Sequence, residues 1–374
     1  MNRERAQMTG RERVRAAIER KPLDRVPIYC DELFADTLSK WCERGMPATR
    51  PEQEDFFDYD CTELFVDTSM RFEERLLEET RDQIKVSDKY GLTVTRNKHV
   101  PGAEYHEHPI KTPEDWGRYK DRWSLSPNEP ARVHEVSYAV PLVKWPSWNE
   151  AKRILDEKKA TGRHITLRAY GHWEILWRLR GYTEALMDLV TNPSFVKEIC
   201  DCYTAFLLGI LSTTLERGMR VDSFFILDDH GSNAGLLFSP DIIRSMILPQ
   251  YKRINDFLCA ENIYFFMHSC GDICRMIPEY LDAGVIALNP LQATAMDVVD
   301  LKRTYGDRLT FIGNIDSRTM YDRDTVLAEA TRKIPVAARG GGYIYSCDHS
   351  IPATVDLETY LELLHVIKCV SVET

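Results

Sequence analysis

The sequence predicts an α/β chain folded as a (β/α)8 barrel with an elaborated N-terminal segment, and three observations carry that prediction. The second half repeats one unit six times: a short β-rich apolar run, a polar cluster and an amphipathic helix. The apolar runs suit strands buried in a parallel sheet covered by helices. No linker or low-complexity tract interrupts the 374 residues, so one barrel domain over residues 1–374 is the economical reading.

The elements follow in order. "RERVRAAIERK" predicts a helix and "RVPIYC" the first strand, with a second strand within "FDYDCTELFVDTS". "GLTVTRNKHVPGAEYHEHPIKTPEDW" alternates and carries turn residues, so it predicts a small antiparallel excursion. The proline-rich stretch from "RWSLSPNEP" to "KWPSWNEAKRIL" predicts a surface connection ending in a helix. The repeated units then begin at "HITLRAYG", "DSFFILDDHG", "IYFFMHSCGD", "VIALNP", "LTFIGNID" and "GYIYSCDHSIP", the last of these holding the final strand. Ser239 followed by Pro240 marks a helix start, the serine as cap and the proline in the first turn. Gly340–Gly342 precede a strand and predict a tight turn rather than a phosphate cradle.

Composition narrows the function. The formal net charge of −10 argues against nucleic acid, which needs a basic face. There is no apolar run of bilayer length and no signal peptide, so a cytoplasmic location is expected. The ten cysteines form no small-domain framework, and most are expected as free thiols. Cys200, Cys202, Cys259 and Cys369 fall within helical patterns and read as packing residues.

Barrel chemistry belongs at the C-terminal strand ends. Those ends carry Tyr170, Asp228 and Asp229, His268 and Cys270, Asn289, Asn314 and Asp316, then Cys347, Asp348 and His349. His268, Cys270 and Cys347 offer one nitrogen and two sulfurs, a borderline-soft set suited to zinc. Three protein ligands leave a fourth position open, as in catalytic zinc sites. The competing reading makes the cysteines small buried residues and His268 a satisfied core histidine; each residue alone is compatible with it. Tyr170, His172, Trp173 and Trp177 open one helix and offer aromatic walls for a substrate ring, although Trp173 and Trp177 also have the spacing of core packing. Glu174, Asp228 and Asp229 are candidates for a fourth ligand, a proton donor or a group orienting the ligands. Asn314 is a candidate substrate contact and His349 a candidate catalytic group.

At these residues the sequence resembles the uroporphyrinogen decarboxylase superfamily. The likeness runs from "GRERVRAAIERKPLDRVPIY" through "LLFSPDIIRSMILPQYKRI" and "GNID" to "CDHSIPATVDLETYL". "HSCGDI" with the late "SCDHSIP" resembles its branch of zinc-dependent, corrinoid-linked methyltransferases, in which a His-x-Cys and a distant Cys hold the metal. The resemblance implies a (β/α)8 barrel, zinc on His268, Cys270 and Cys347, and cobalamin carried by a separate corrinoid protein. It implies methyl transfer, and the aromatic residues favour a methoxylated aromatic ether as donor. The alternatives are transfer from a methyl-corrinoid to a thiol, decarboxylation of a porphyrinogen, and a non-catalytic barrel. Against decarboxylation, "CDELFADTLSK" follows the first strand where true decarboxylases carry an arginine-rich loop, although His349 sits where they place a histidine. Asp67 in "LFVDTS" is the position nearest their key aspartate.

Overall fold

The computed structural model describes residues 7–98, 102–126, 128–137 and 140–372. Seven parallel strands follow one another around the sheet: β1 (Cys61–Val66), β2 (His164–Tyr170), β3 (Ser223–Leu227), β4 (Tyr264–His268), β5 (Ala287–Asn289), β6 (Thr310–Ile312) and β7 (Tyr343–Ile344). Residues 27–29 close the ring. Tyr29 N donates to Tyr345 O and Tyr345 N to Pro27 O, both at 2.8 Å, while Asp60 N donates to Ile28 O at 2.9 Å. The expected first strand at "RVPIY" is therefore the eighth stave of the barrel, held by the single bridge between Ile28 and Tyr345. Pro27 has no N–H to extend that ladder. β1, β5, β6 and β7 are buried along their whole length, which is why their residues read as apolar runs.

Helices cover the barrel, and the start expected at Ser239 and Pro240 is present. Thr9 and Glu12 form a reciprocal cap on the helix Gly10–Ile18. Ser239 accepts from Ile242 N at 3.4 Å ahead of Pro240. The chain then makes a wide π turn at Ile243–Ile247 before the helix Leu248–Ala260, which has Pro249 in its first turn. A proline cannot supply the N–H that a regular turn needs there. One helix is capped from a neighbouring strand end rather than by the residue that precedes it. Gly171 precedes His172–Arg180 and has no side chain to offer, and Asp228 at the end of β3 accepts from His172 N at 3.0 Å and Glu174 N at 3.1 Å. A Cβ on Gly171 would sit 2.2 Å from the Asp228 carboxyl carbon.

Three expectations need correction. The antiparallel excursion begins earlier than the alternation indicates: its four strands are Arg75–Glu79, Gln83–Ser87, Thr93–Asn97 and Ala103–Glu107. Arg75–Glu79 is exposed throughout, so no burial pattern marked it. The proline-rich connection is not wholly superficial, because Ala131, Arg132 and Val133 are buried and Val133 pairs antiparallel with Val66. Cys259 and Cys369 are exposed and pack nothing in the core, whereas Cys200 is buried; all ten cysteines are free thiols.

Two buried histidines give the fold a pH dependence. His164 pairs with Ser223 Oγ at 3.0 Å and His172 with Thr204 Oγ1 at 2.7 Å. Burial pushes both down to about 4, outweighing the pull of Asp222 on His164 and of Asp228 on His172. In the unfolded chain they titrate near about 6.5. Between those values only the unfolded state takes the proton, so stability is complete above about 6.5 and is lost as pH falls toward 4. The expected loss is roughly 3 kcal/mol per histidine. Urea unfolding at pH 7 and pH 4.5 measures it, and His164→Gln should remove part of the difference.

Candidate metal centre

The C-terminal strand ends surround a cavity of about 300 Å³. Its wall includes Tyr29, Asp31, Glu32, Arg168, Tyr170, Phe225, Asp229, His268, Cys270, Cys347, Asp348 and His349. Strand register sets the level of this ring. His268 stands opposite Leu227 on one side and Asn289 on the other, and Leu227 stands opposite Tyr170.

His268 is held in one tautomer by Asn289. Its Nδ1 lies 2.7 Å from Asn289 Oδ1, while Asn289 Nδ2 donates to Ile312 O at 3.3 Å. The amide oxygen is thus the acceptor, Nδ1 carries the proton, and the Nε2 lone pair is left for a metal. Cys270 Sγ lies 3.5 Å from that Nε2 and Asp229 Oδ1 lies 3.6 Å from it. These three ligand atoms fall within 4.8 Å of one another. Imidazole, thiol and carboxylate in that spacing fit zinc. Asp229 Oδ1 also accepts from Cys270 N at 2.8 Å, tying the β3 end to the β4 loop. The two loops pass so closely that a Cβ on Gly271, at φ +78°, would sit 2.3 Å from the Gly231 carbonyl carbon. Only glycine meets both the backbone angle and the gap. Burial, reinforced by Asp229, pushes the Cys270 thiol well above its ordinary range.

Cys347 lines the same cavity but stands apart from this cluster. Its N donates to Asp31 Oδ1 at 2.9 Å, and its Sγ donates to Asp31 Oδ2 at 3.4 Å. Asp31 is itself held by Ser346 Oγ at 2.7 Å and Tyr360 OH at 2.8 Å. The expected trio is therefore brought to one cavity, with His268 and Cys270 gathered around Asp229 and the Cys347 thiol turned onto Asp31.

The other predicted residues divide. Tyr170 walls the cavity, with the Arg178 guanidinium 3.7 Å from its ring centre. His349 stands exposed at the mouth, 5.7 Å from the Phe34 ring. Asp228 is corrected from a catalytic to a bracing residue: it is fully buried, caps the helix described above, accepts from Tyr251 OH at 2.8 Å and lies 3.1 Å from His230 Nε2. His172 is buried against Thr204 and does not reach the cavity. Asn314 is likewise corrected. Its side chain donates to Leu291 O at 2.6 Å and Met296 O at 2.8 Å and accepts from Val298 N at 3.1 Å, and it is fully buried and does not line the cavity. Glu174 is paired with Arg178 and, with Trp173 and Trp177, faces a second, wider cleft that shares Asp229 with the first. Trp173 packs on Tyr182 and Phe238. Asp67 is taken up by Arg71 at 2.7 Å and Arg132 at 3.3 Å.

Asp31 and Glu32 enter the sequence reading only as acids of "CDELFADTLSK", not as site residues, and Arg168 is missed. Arg168 lies in mid-strand of β2, where an isolated arginine in an apolar run was the available signal. Its Nη1 donates to Glu32 Oε1 at 2.7 Å and Glu63 Oε1 at 2.9 Å. Asn289→Ala should free the His268 ring to turn and, if His268 holds zinc, weaken its binding by about 10–100-fold. Competition with a chromophoric chelator measures it.

Comparison with known proteins agrees with this architecture. Over 153 residues the chain is 25% identical to the methylcobamide:CoM methyltransferase MtaA of Methanosarcina barkeri. That match spans 38% of this chain and 43% of the relative's length, so less than half of the relative is represented. A solved methyltransferase from Methanosarcina mazei superposes with a TM-score of 0.65 at 17% identity, covering 96% of this chain and 98% of the other, which is a likeness of fold. Among the described residues no helix is long and apolar enough to cross a membrane. The family model for uroporphyrinogen decarboxylase (URO-D) matches residues 88–369, and with a parallel barrel closed by residues 27–29 around this cavity the chain belongs to that family.

Proposed function

We propose that residues 1–374 form a single cytoplasmic catalytic domain, a zinc-dependent methyltransferase. It moves a methyl group from a methoxylated aromatic ether to the cobalt of a separate corrinoid protein docked over the C-terminal strand ends. The observation that carries this reading is the convergence of His268, Cys270 and Asp229 within 4.8 Å in a cavity also lined by Cys347. His268, Cys270 and Cys347 would hold the metal, Cys347 by rotating off Asp31, and Asp229 stands ready as the fourth, displaceable ligand. Zinc bound there supplies a Lewis acid that draws charge onto the leaving ether oxygen. Asn289 keeps the His268 proton on Nδ1. Tyr29, Tyr170 and Phe225 give the donor ring an apolar wall. The methyl carbon–oxygen bond breaks with its electron pair going to oxygen, and the cobalt of the reduced corrinoid supplies the pair for the new carbon–cobalt bond.

The printed name of the Methanosarcina barkeri relative favours a second reading, in which the cavity activates a thiol that takes a methyl group from a methyl-corrinoid. One experiment separates the two. Purified protein, assayed for metal, is mixed with reduced cobalamin and 2-methoxyphenol, and separately with methylcobalamin and a thiol. Formation of methylcobalamin in the first mixture supports the ether reading. Demethylation only in the second supports the thiol reading. Equal rates after chelator treatment would remove zinc from either mechanism.

A further inference from the structure

The cavity wall is acidic. Asp31, Glu32, Asp229 and Asp348 face it, and Arg168 is the one arginine or lysine among its described lining residues. That guanidinium already serves two carboxylates, Glu32 at 2.7 Å and Glu63 at 2.9 Å. Its faces are taken as well, lying 5.3 Å from the Phe225 ring centre and 5.7 Å from that of Phe65. Asp348 is fixed by Ser317 N and Oγ, both at 2.9 Å, and by Ala293 N at 2.9 Å. Glu32 alone of the pair on Arg168 is solvent-facing, with its side chain 54% exposed against 4% for Glu63. An incoming anion therefore meets Glu32 before it meets Arg168.

Resting on the methyl-transfer reading above, we infer that Glu32 sets the charge of the methyl donor: the cavity accepts methoxylated rings without an acidic group and rejects carboxylated ones. Were zinc held there, the thiolates of Cys270 and Cys347 would balance its two charges and leave this selection to Glu32 and the rest of the acidic wall. A carboxylate entering beside the half-exposed Glu32 meets a like charge, and discrimination of this kind is built from repulsion as much as from attraction. Glu32 acts here as a specificity residue and takes no part in the chemical step.

The test compares 2-methoxyphenol with 4-hydroxy-3-methoxybenzoate, in wild-type protein and in Glu32→Gln. Affinity is read by calorimetric titration of zinc-loaded and zinc-free protein, and methyl transfer to reduced cobalamin is read separately. The expected result is binding of the uncharged ring at least about tenfold tighter by the wild type, with Glu32→Gln narrowing the gap by improving the carboxylated ring. Equal or tighter binding of the carboxylated ring by the wild type overturns the inference, as does an unchanged ratio in Glu32→Gln. Selective binding of the uncharged ring without methyl transfer upholds the charge rule while overturning the ether reading. If neither ring binds either protein, both are overturned.

Discussion

Cys270→Ala protein is expected to fold normally and to lose zinc. The thiol lies on a loop beyond β4, outside the barrel core, and alanine keeps the backbone N–H that Asp229 accepts. Unfolding free energy should change by no more than about 1 kcal/mol. Zinc affinity should fall by more than about a hundredfold, because loss of a direct ligand exceeds the 10–100-fold cost of losing a group that merely orients one. Methyl transfer should fall in parallel. Metal content by mass spectrometry after dialysis, alongside circular dichroism, checks both halves. Wild-type zinc stoichiometry in Cys270→Ala would end the proposal that this residue holds the metal. Cys347→Ala is the companion: if Cys347 rotates off Asp31 to bind, it loses zinc as well, and an unaffected Cys347→Ala would confine the site to His268, Cys270 and Asp229.

Asp228→Ala is expected to be among the most destabilising single changes in the chain. The carboxylate is fully buried and serves two backbone N–H groups at a helix start, the Tyr251 hydroxyl and His230. Alanine leaves those groups buried and without that partner, at about 1–3 kcal/mol each before relaxation. The net cost should be on the order of 3–5 kcal/mol, as for other broken buried pairs. Asp228→Asn keeps one acceptor oxygen and should recover part of it. The urea midpoint of both variants is the measurement, and a midpoint within error of wild type would show that Asp228 braces nothing. Because Asp229 follows directly and is a ligand candidate, zinc affinity should weaken too, by less than in Cys270→Ala.

The sequence by itself determined the barrel. Its strands are buried on both sides, so their apolar runs, and the helices between them, repeat visibly along the chain. It also marked His268, Cys270 and Cys347, because a nitrogen and two sulfurs at strand ends are conspicuous against apolar strands. Only the tertiary structure decided how the polar residues were spent. Asp228 and Asp229 are adjacent and chemically identical, yet the pleat turns one onto a helix start and the other toward His268. Asn289 and Asn314 both end strands, but the first meets the His268 ring and the second is used up on backbone groups. Those outcomes depend on cross-strand neighbours far away in sequence. The acids of "CDELFADTLSK" are legible and count against an anionic porphyrinogen, but the pairing of Glu32 with Arg168 is not, because the two meet only when the loop after residues 27–29 folds over β2.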